Sequence, residues 1–412
     1  MLQSASEILS TTWSAVEASI SVILVLVYGF FASKWKLLSP EGEESASKLC
    51  VTLFLPALLF SEIGPLASWD NLKDYWVILA YAVVFQLISW IFGAIGVIAF
   101  GMPQWIIPCM VFNNATSLPL LLFSSLGKNG TLSPLIKNDD LDSVLDRGQV
   151  FLLINALVCN LTRFSFGPIM MKKHPLDFPH PWSHSESPHA VKKVREVLNS
   201  EQGYPAIEPY SGDDENAPLL DQAKHHGKKG WKIAKILHKS LAGFMNPPMY
   251  GGLAAIIAGL VPFLHNWLFK KGAWLSPLAE SIDKIGKLYA ALQMLVIGAH
   301  LKTKKGSRPP LFPLIYLFVF RFAVMPVIST SMVYGIRKAV GDKVLNDPVL
   351  DFIMMIAPVG PPALTLAAIV EMSDTDEDVE TAVAKTIVIS YALTPLISVS
   401  VTAALQVVQK LY

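Results

Sequence analysis

Charge is scarce in this chain: Asp, Glu, Lys and Arg make up 16% of its 412 residues, against about 25% in an average soluble domain. Hydrophobic residues reach 52% and the mean hydropathy is +0.46, so the chain reads as an integral membrane protein in contact with the lipid bilayer. The formal net charge is +1, and no basic stripe with interleaved aromatics runs through it, which argues against nucleic acid as a partner. Cysteine is sparse as well. Cys50, Cys109 and Cys159 each fall inside an apolar run without CxxC spacing, so neither a disulfide framework nor a zinc site is expected and all three read as core residues. No Walker-type phosphate loop, no sodium-site pattern and no cluster of nucleophile, base and oxyanion donors is found. The chain is therefore not read as an enzyme or an ATP-driven pump, and no cofactor or metal is expected. The N-terminal MLQSASEILSTTW has neither the basic n-region nor the small-residue cleavage site of a secretory signal. The first apolar run is expected to stay as a span.

What the chain has in quantity is long apolar runs. A helix crosses the hydrocarbon core with about 20 mostly apolar residues, and such runs lie at roughly 13–33, 46–66, 75–100, 104–126 and 149–170, then at roughly 245–265, 279–301, 311–334, 347–370 and 382–408. The expected fold is an all-α integral membrane protein with ten transmembrane helices. Five crossings reverse the orientation of the second set, which is the arithmetic of a 5+5 inverted repeat. The expected organisation is a first repeat over 1–170, a hydrophilic, disordered cytosolic loop over 171–243 and a second repeat over 244–412.

Two of these runs are interrupted at corresponding places. The fourth carries FNNATSLPLLL, Phe112 to Leu122, and the ninth carries APVGPPAL, Ala357 to Leu364. Proline removes a donor and clashes with the preceding turn, and hydrocarbon has no water to satisfy the carbonyls it frees. A lone proline makes a kink. Pro358, Pro361 and Pro362 with Gly360 among them make a simple kink a poor account of the ninth run, and paired breaks in the two halves point to a transporter's midplane site.

Basic residues favour one side. KWK after the first run, Lys172 and Lys173 after the fifth, KKGWK before the sixth and KTKKGSR after the seventh share a side, against Lys128, Lys137, Arg147, Lys270, Lys271, Arg337 and Lys338 on the other. The positive-inside rule makes the first side cytosolic. The sequon at Asn129 then faces the lumen or exterior as a candidate glycosylation site. ENAPLL in the central loop, with Glu215, Leu219 and Leu220, has the acidic dileucine form read by sorting adaptors.

The membrane motifs resemble the auxin efflux carrier family, and within it the PIN-LIKES proteins. SKLCVTLFLPALLFSEIG is similar to that family's second helix with its Leu-Pro, FNNATSLPL and APVGPPAL to its two crossovers, MNPPMYGGLAAIIAGL to its sixth helix and FRFAVMPV to its eighth. The resemblance implies an elevator-type carrier of small organic anions, in which a transport domain holding two crossed, broken helices moves against a scaffold. It implies auxins such as indole-3-acetic acid on the plant side, malate in some bacterial relatives and residence in the endoplasmic reticulum. A vacuolar, endosomal or plasma membrane and a homodimer are left open.

Helix ends at a break offer unpaired N–H groups and a positive dipole end, which favours a carboxylate. The candidate substrate-binding residues are Asn113, Asn114, Ser117, Pro119, Pro358, Val359, Gly360, Pro361 and Pro362. Leu55, Pro56, Leu59 and Gln293 are candidates for a wall facing the crossover. Asn113 or Asn114 is expected on the carboxylate. Arg321 and Glu62 are candidate coupling or structural charges, Arg321 more readily an anchor for backbone carbonyls, whereas Arg163 and Lys385 stay unassigned. No basic residue flanks either break, which tilts the reading from a dicarboxylate such as malate toward a monoanion. A membrane potential already drives an anion from the cytosol by about 2.3 kcal/mol per charge per 100 mV, so uniport and secondary transport both stand. A non-transporting receptor or scaffold acting through the cytosolic loop is the alternative from another class. The topology is checked by Asn129→Gln: a glycosidase-sensitive mobility shift lost in this variant places that loop in the lumen, and protease access to it from the cytosol overturns the orientation.

Overall fold

In a membrane the outer face of a helix is allowed to be as apolar as its core, and the third apolar run shows this. The computed structural model describes residues 22–69, 75–128, 130–136, 140–171, 246–270, 272–303, 309–341, 347–373 and 375–412, with Trp13, Val16, Ile20 and Lys73 beside them. After α1 (Val22–Lys34) and α2 (Pro40–Ile63) comes α3 (Trp76–Phe100). It turns Tyr81, Phe85, Gln86, Ser89 and Gly93 inward and leaves Val84, Leu87, Trp90, Ile91 and Ile98 exposed. The polar groups face protein and the bulky apolar ones face lipid.

The remaining helices are α4 (Ile106–Val111), α5 (Ser117–Lys128), α6 (Leu141–Met171), α7 (Pro247–Leu260), α8 (Pro262–Phe269), α9 (Ser276–Thr303), α10 (Leu311–Ala339), α11 (Pro348–Ile356), α12 (Leu366–Met372), α13 (Glu377–Ala392) and α14 (Ile397–Leu411). The described residues form helices, turns and one isolated antiparallel bridge. α2, α3, α6 and α10 are long and apolar enough to cross a bilayer, and the count is up to six if the bent pairs α7–α8 and α13–α14 are each one span. The protein is an all-helical membrane protein. Two runs expected as single spans are bent: α7 and α8 meet at 104° across Val261, and α13 and α14 meet at 48° across Thr394-Pro395. Pro262 starts α8, where its missing N–H costs nothing, and Pro395 lies in the 3-10 turn Thr394–Leu396 that leads into α14. Cys50, Cys109 and Cys159 are free and buried.

Local signals explain the starts. The Ser39 hydroxyl accepts from the Gly42 N–H at 3.1 Å, with Pro40 in the first position of α2 and Glu41 and Glu43 in its first turn. Asp347 accepts from the Val349 N–H at 2.8 Å at the head of α11. Where a proline falls inside a span, the helix widens before it. Ahead of Pro56 the turn Cys50–Phe54 is π-helical, and the Leu55 N–H reaches the Cys50 carbonyl; ahead of Pro326 the turn Phe320–Val324 does the same, from Met325 to Phe320. The extra residue per turn moves the ring off the carbonyl it would otherwise strike.

Two packing groups follow. α2 lies against α7 and α9, and glycines let the backbones touch: a Cβ on Gly251 would strike the Pro56 carbonyl, and one on Gly286 would sit 2.7 Å from the Leu58 Cα. α1 joins through a reciprocal contact, in which a Cβ on Gly29 would strike the Leu295 carbonyl and one on Gly298 the Leu26 carbonyl. Small residues serve this purpose where lipid supplies no hydrophobic drive between helices. In the other group α3 packs on α4 and α6, α11 on α10 and α14, and α12 on α6 and α13. Gly298→Ala is expected to lower stability by about 1–3 kcal/mol through overpacking, read as an earlier unfolding midpoint in detergent. Gly335→Ala, where a Cβ meets nothing within 4 Å, serves as the unchanged control.

Candidate functional site

The two interrupted runs become two pairs of short helices whose breaks lie against each other. α4 stops at Val111 and α5 starts at Ser117; α11 stops at Ile356 and α12 starts at Leu366. Between them Asn113 and Pro362 form the antiparallel bridge. The Asn114 N–H donates to the Pro361 carbonyl at 3.0 Å, and the Ala363 N–H donates to the Phe112 carbonyl at 2.9 Å. Gly360 has φ of 126°, a backbone that side chains rarely permit.

The prolines decide which carbonyls need help. In a continuous helix residue 361 would donate to Ala357 and residue 362 to Pro358, and neither proline has an N–H to give. The Ala357 carbonyl instead accepts from the Asn113 Nδ2 at 2.6 Å, and the Pro358 carbonyl from the Arg321 Nη1 at 3.3 Å. One turn earlier the Ser329 hydroxyl donates to the Met355 carbonyl at 2.7 Å. The first break is closed from α6. Arg163 donates through Nη2 to the Asn113 carbonyl at 2.7 Å, and through Nη1 to Thr365 Oγ1 at 2.8 Å and Asn160 Oδ1 at 2.9 Å. A single guanidinium thus holds both breaks.

These groups sit out of reach of water. Asn113 is 1% exposed, Arg163 2% and Arg321 0%. Among the described residues neither arginine lies within ion-pair distance of a carboxylate. Arg321 Nε and Nη2, Arg163 Nε and Asn113 Oδ1 have no hydrogen-bond partner. The paired breaks therefore carry two buried positive charges and at least three buried N–H groups without acceptors, an environment that favours an anion.

The sequence candidates separate in space. Asn113, Asn114, Pro361 and Pro362 meet at the bridge, with Gly360 next to them in the chain and Pro358 beside Arg321. The amide donors expected on a carboxylate are engaged here, Asn113 by Ala357 and Asn114 by the buried Tyr391 hydroxyl at 2.6 Å, and the Thr116 N–H turns back to Asn114 Oδ1 at 3.3 Å. Pro119 and Val359 line a void of about 10 Å³, the size of one water. Leu55 and Leu59 are buried along α2, and Pro56 lies against Gly251 of α7. Gln293 is buried in the wall of a different cavity, of about 440 Å³, between α2, α9, α12 and α13. Glu62 is half-buried near the end of α2. Asn129, Glu215, Leu219, Leu220 and the side chain of Ser117 lie outside the described residues. Sequence reasoning left Arg163 unassigned. Its signal was its position, fourteen residues into the apolar run 149–170 with no charged neighbour on that run, but only the fold shows what it holds.

The family described as membrane transport protein matches residues 14–398, nearly the whole chain. The chain belongs to that family, the auxin efflux carrier family. It is 25% identical over 326 residues to an uncharacterized transporter of Schizosaccharomyces pombe, covering 72% of each chain. It is 24% identical over 389 residues to an uncharacterized transporter of Saccharomyces cerevisiae, with 87% of each chain covered. It is 23% identical over 399 residues to Protein PIN-LIKES 2 of Arabidopsis thaliana, again with 87% of each covered. Membrane transporters are not a class of enzyme, and the bilayer and a small-molecule substrate are the partners this membership brings.

Replacing Arg163 by Lys puts one ammonium where a planar fork reached three acceptors. Arg163→Lys is expected to lose about 2–4 kcal/mol of stability, measured by unfolding in detergent, while the partly exposed Arg147→Lys changes it by less than about 1 kcal/mol. Equal effects at the two sites would contradict the assignment.

Proposed function

We propose that this family member carries a small organic anion, an auxin-like monocarboxylate such as indole-3-acetate, as a secondary transporter or uniporter of an endomembrane. The observation that carries this reading is the pair of buried guanidinium groups at the breaks, without a carboxylate partner among the described residues and with N–H groups unsatisfied. An anion at this place would satisfy donors whose isolation otherwise costs several kcal/mol. The carboxylate is assigned to Arg321, with Asn113 and Asn114 exchanging their protein acceptors for it when the crossing loosens.

The same reading takes the chain as ten spans in a 5+5 inverted repeat, with residues 1–170 and 244–412 as the repeats and the segment between as a cytosolic loop. α1, α2, α7 and α9 are the scaffold. The group holding the crossed breaks is the element that moves in an elevator cycle, and the glycine contacts keep the scaffold rigid while it does so. The endoplasmic reticulum is the membrane assigned, on the strength of the likeness to PIN-LIKES proteins. A homodimer and adaptor binding at Glu215, Leu219 and Leu220 complete the proposal.

A dicarboxylate such as malate is the second reading, and a specific observation favours it. No basic residue flanks either break in sequence, yet the fold brings Arg163 to both breaks and Arg321 to the second. Uptake of radiolabelled indole-3-acetate and malate into proteoliposomes separates the two. Arg321→Gln, Asn113→Ala, Asn114→Ala and Pro361→Ala are each expected to reduce uptake of the transported anion by about tenfold or more. Unchanged uptake in all four sinks the assignment of the crossing, and no uptake of either anion by folded wild type returns the receptor reading.

A further inference from the structure

The short helix α8 leaves α7 at a sharp angle, and the place where it turns is set by α2. A Cβ on Gly251 would strike the Pro56 carbonyl and one on Gly259 the Gly64 carbonyl and Ala67, so α7 runs alongside α2, which is long and apolar enough to cross a bilayer. α2 stops at Ile63, and at that level α8 turns away by 104°. Phe269 at its end lies against Gly64 and, at 5.9 Å between ring centroids, against Phe60. A helix nearly perpendicular to a crossing helix, placed where that helix ends, runs along the surface of the bilayer rather than through it.

The side chains of α8 divide three ways. Leu268 is buried and Leu264, His265 and Phe269 are half-buried, so these four form the face toward protein. The exposed remainder splits by the four-residue spacing that puts side chains on one edge of a helix. Asn266 and Lys270 form a polar edge, whereas Phe263, 55% exposed, and Trp267, 49% exposed, form an apolar edge and meet ring to ring at 5.5 Å. The Leu275 N–H donates to the Trp267 carbonyl at 3.0 Å, which folds the chain back and keeps Trp274, 83% exposed, beside the same end of the helix. Water does not suit the exposed Phe and two Trp, and hydrocarbon does not suit the Asn and Lys. Both edges are suited at the boundary between headgroups and acyl chains, where Trp collects in membrane proteins and Lys extends its ammonium toward water. Trp69, just past the end of α2, and Trp76, the first residue of α3, are exposed in the connection that leaves the same end of α2.

We propose that α8 and Trp274 form an in-plane anchor that binds phospholipid at the headgroup–acyl boundary of one leaflet, with the rings of Phe263, Trp267 and Trp274 among the first acyl carbons and Lys270 at the phosphates. The anchor fixes the depth of the α2–α7 pair in the bilayer. It stands apart from the anion reading of the paired breaks and does not depend on it.

Depth is read with a bimane label on single introduced cysteines of the full chain in phosphatidylcholine nanodiscs. The quenchers are a doxyl lipid labelled near the headgroup, one labelled near the acyl end, and iodide in the water. Wild type, whose Cys50, Cys109 and Cys159 are buried, is the blank. Labels at Phe263→Cys and Trp267→Cys are expected to be quenched about threefold more by the shallow lipid than by the deep one. The label at Asn266→Cys is expected to be quenched by iodide about threefold more than the label at Trp267→Cys. Leu87→Cys, exposed near the middle of α3, is expected to show the reverse depth preference. Trp274→Cys repeats the shallow readout from outside the helix if the helix variants do not fold. A Trp267→Cys label quenched most by the deep lipid, as in a re-entrant loop, one quenched by iodide alone, as in a solvated helix, or one shielded from all three quenchers, as under a second copy of the chain, overturns the proposal.

Discussion

Everything at the centre of this protein depends on carbonyl groups that proline has deprived of their helical donors. In water such groups would be solvated at little cost; in a bilayer each needs a donor from the protein. Ala357 and Pro358 find theirs in Asn113 from the other broken pair and Arg321 from α10. The first break is held in turn by Arg163 of α6, which also reaches Thr365 beyond the second. The crossing is thus closed by its own Asn113 and by donors imported from two other helices, α6 and α10.

The same residue type leads to three outcomes along the chain, and the difference lies in what surrounds it. Single prolines inside α2 and α10 are absorbed by a π turn, which costs one widened turn and leaves the helix continuous. Pro262 at the start of α8 and Pro395 in the turn that leads into α14 mark bends of 104° and 48°. Pro358, Pro361 and Pro362 with Gly360 remove too many consecutive donors for any local adjustment, and the helix gives way to an extended segment that pairs with another. Arginine follows from that result. A guanidinium carries five N–H groups in a fixed fork, more than the breaks consume, and the surplus N–H groups are the ones the proposed anion would take up.

Much of this was legible in the sequence. Low charge and long apolar runs identified the membrane protein, and the two interruptions were recognisable because their chemistry is local: a proline lacks its N–H wherever it stands. The resemblance to the auxin efflux carrier family rested on the same motifs, and family membership followed. Other features were not legible. Arg163 lies about fifty residues from the break it holds, so spacing gave no reason to pair them. The absence of basic residues beside each break favoured a monoanion in one dimension, and the fold weakened that argument by bringing two arginines there. Gln293 was grouped with Leu55, Pro56 and Leu59 as a wall of the crossover, whereas it lines an acidic cavity assembled from four helices.

The sequence by itself determined that this is a membrane protein and where its fourth and ninth apolar runs are interrupted, because hydropathy and missing N–H groups are properties of residues and their immediate neighbours. Only the tertiary structure decided which donors meet the freed carbonyls, which glycines bring backbones into contact and where positive and negative charge collect. Those outcomes depend on distances between segments far apart in the chain, and a hydrogen bond or a pair of charges acts over a few ångströms of space, whatever the number of residues between them.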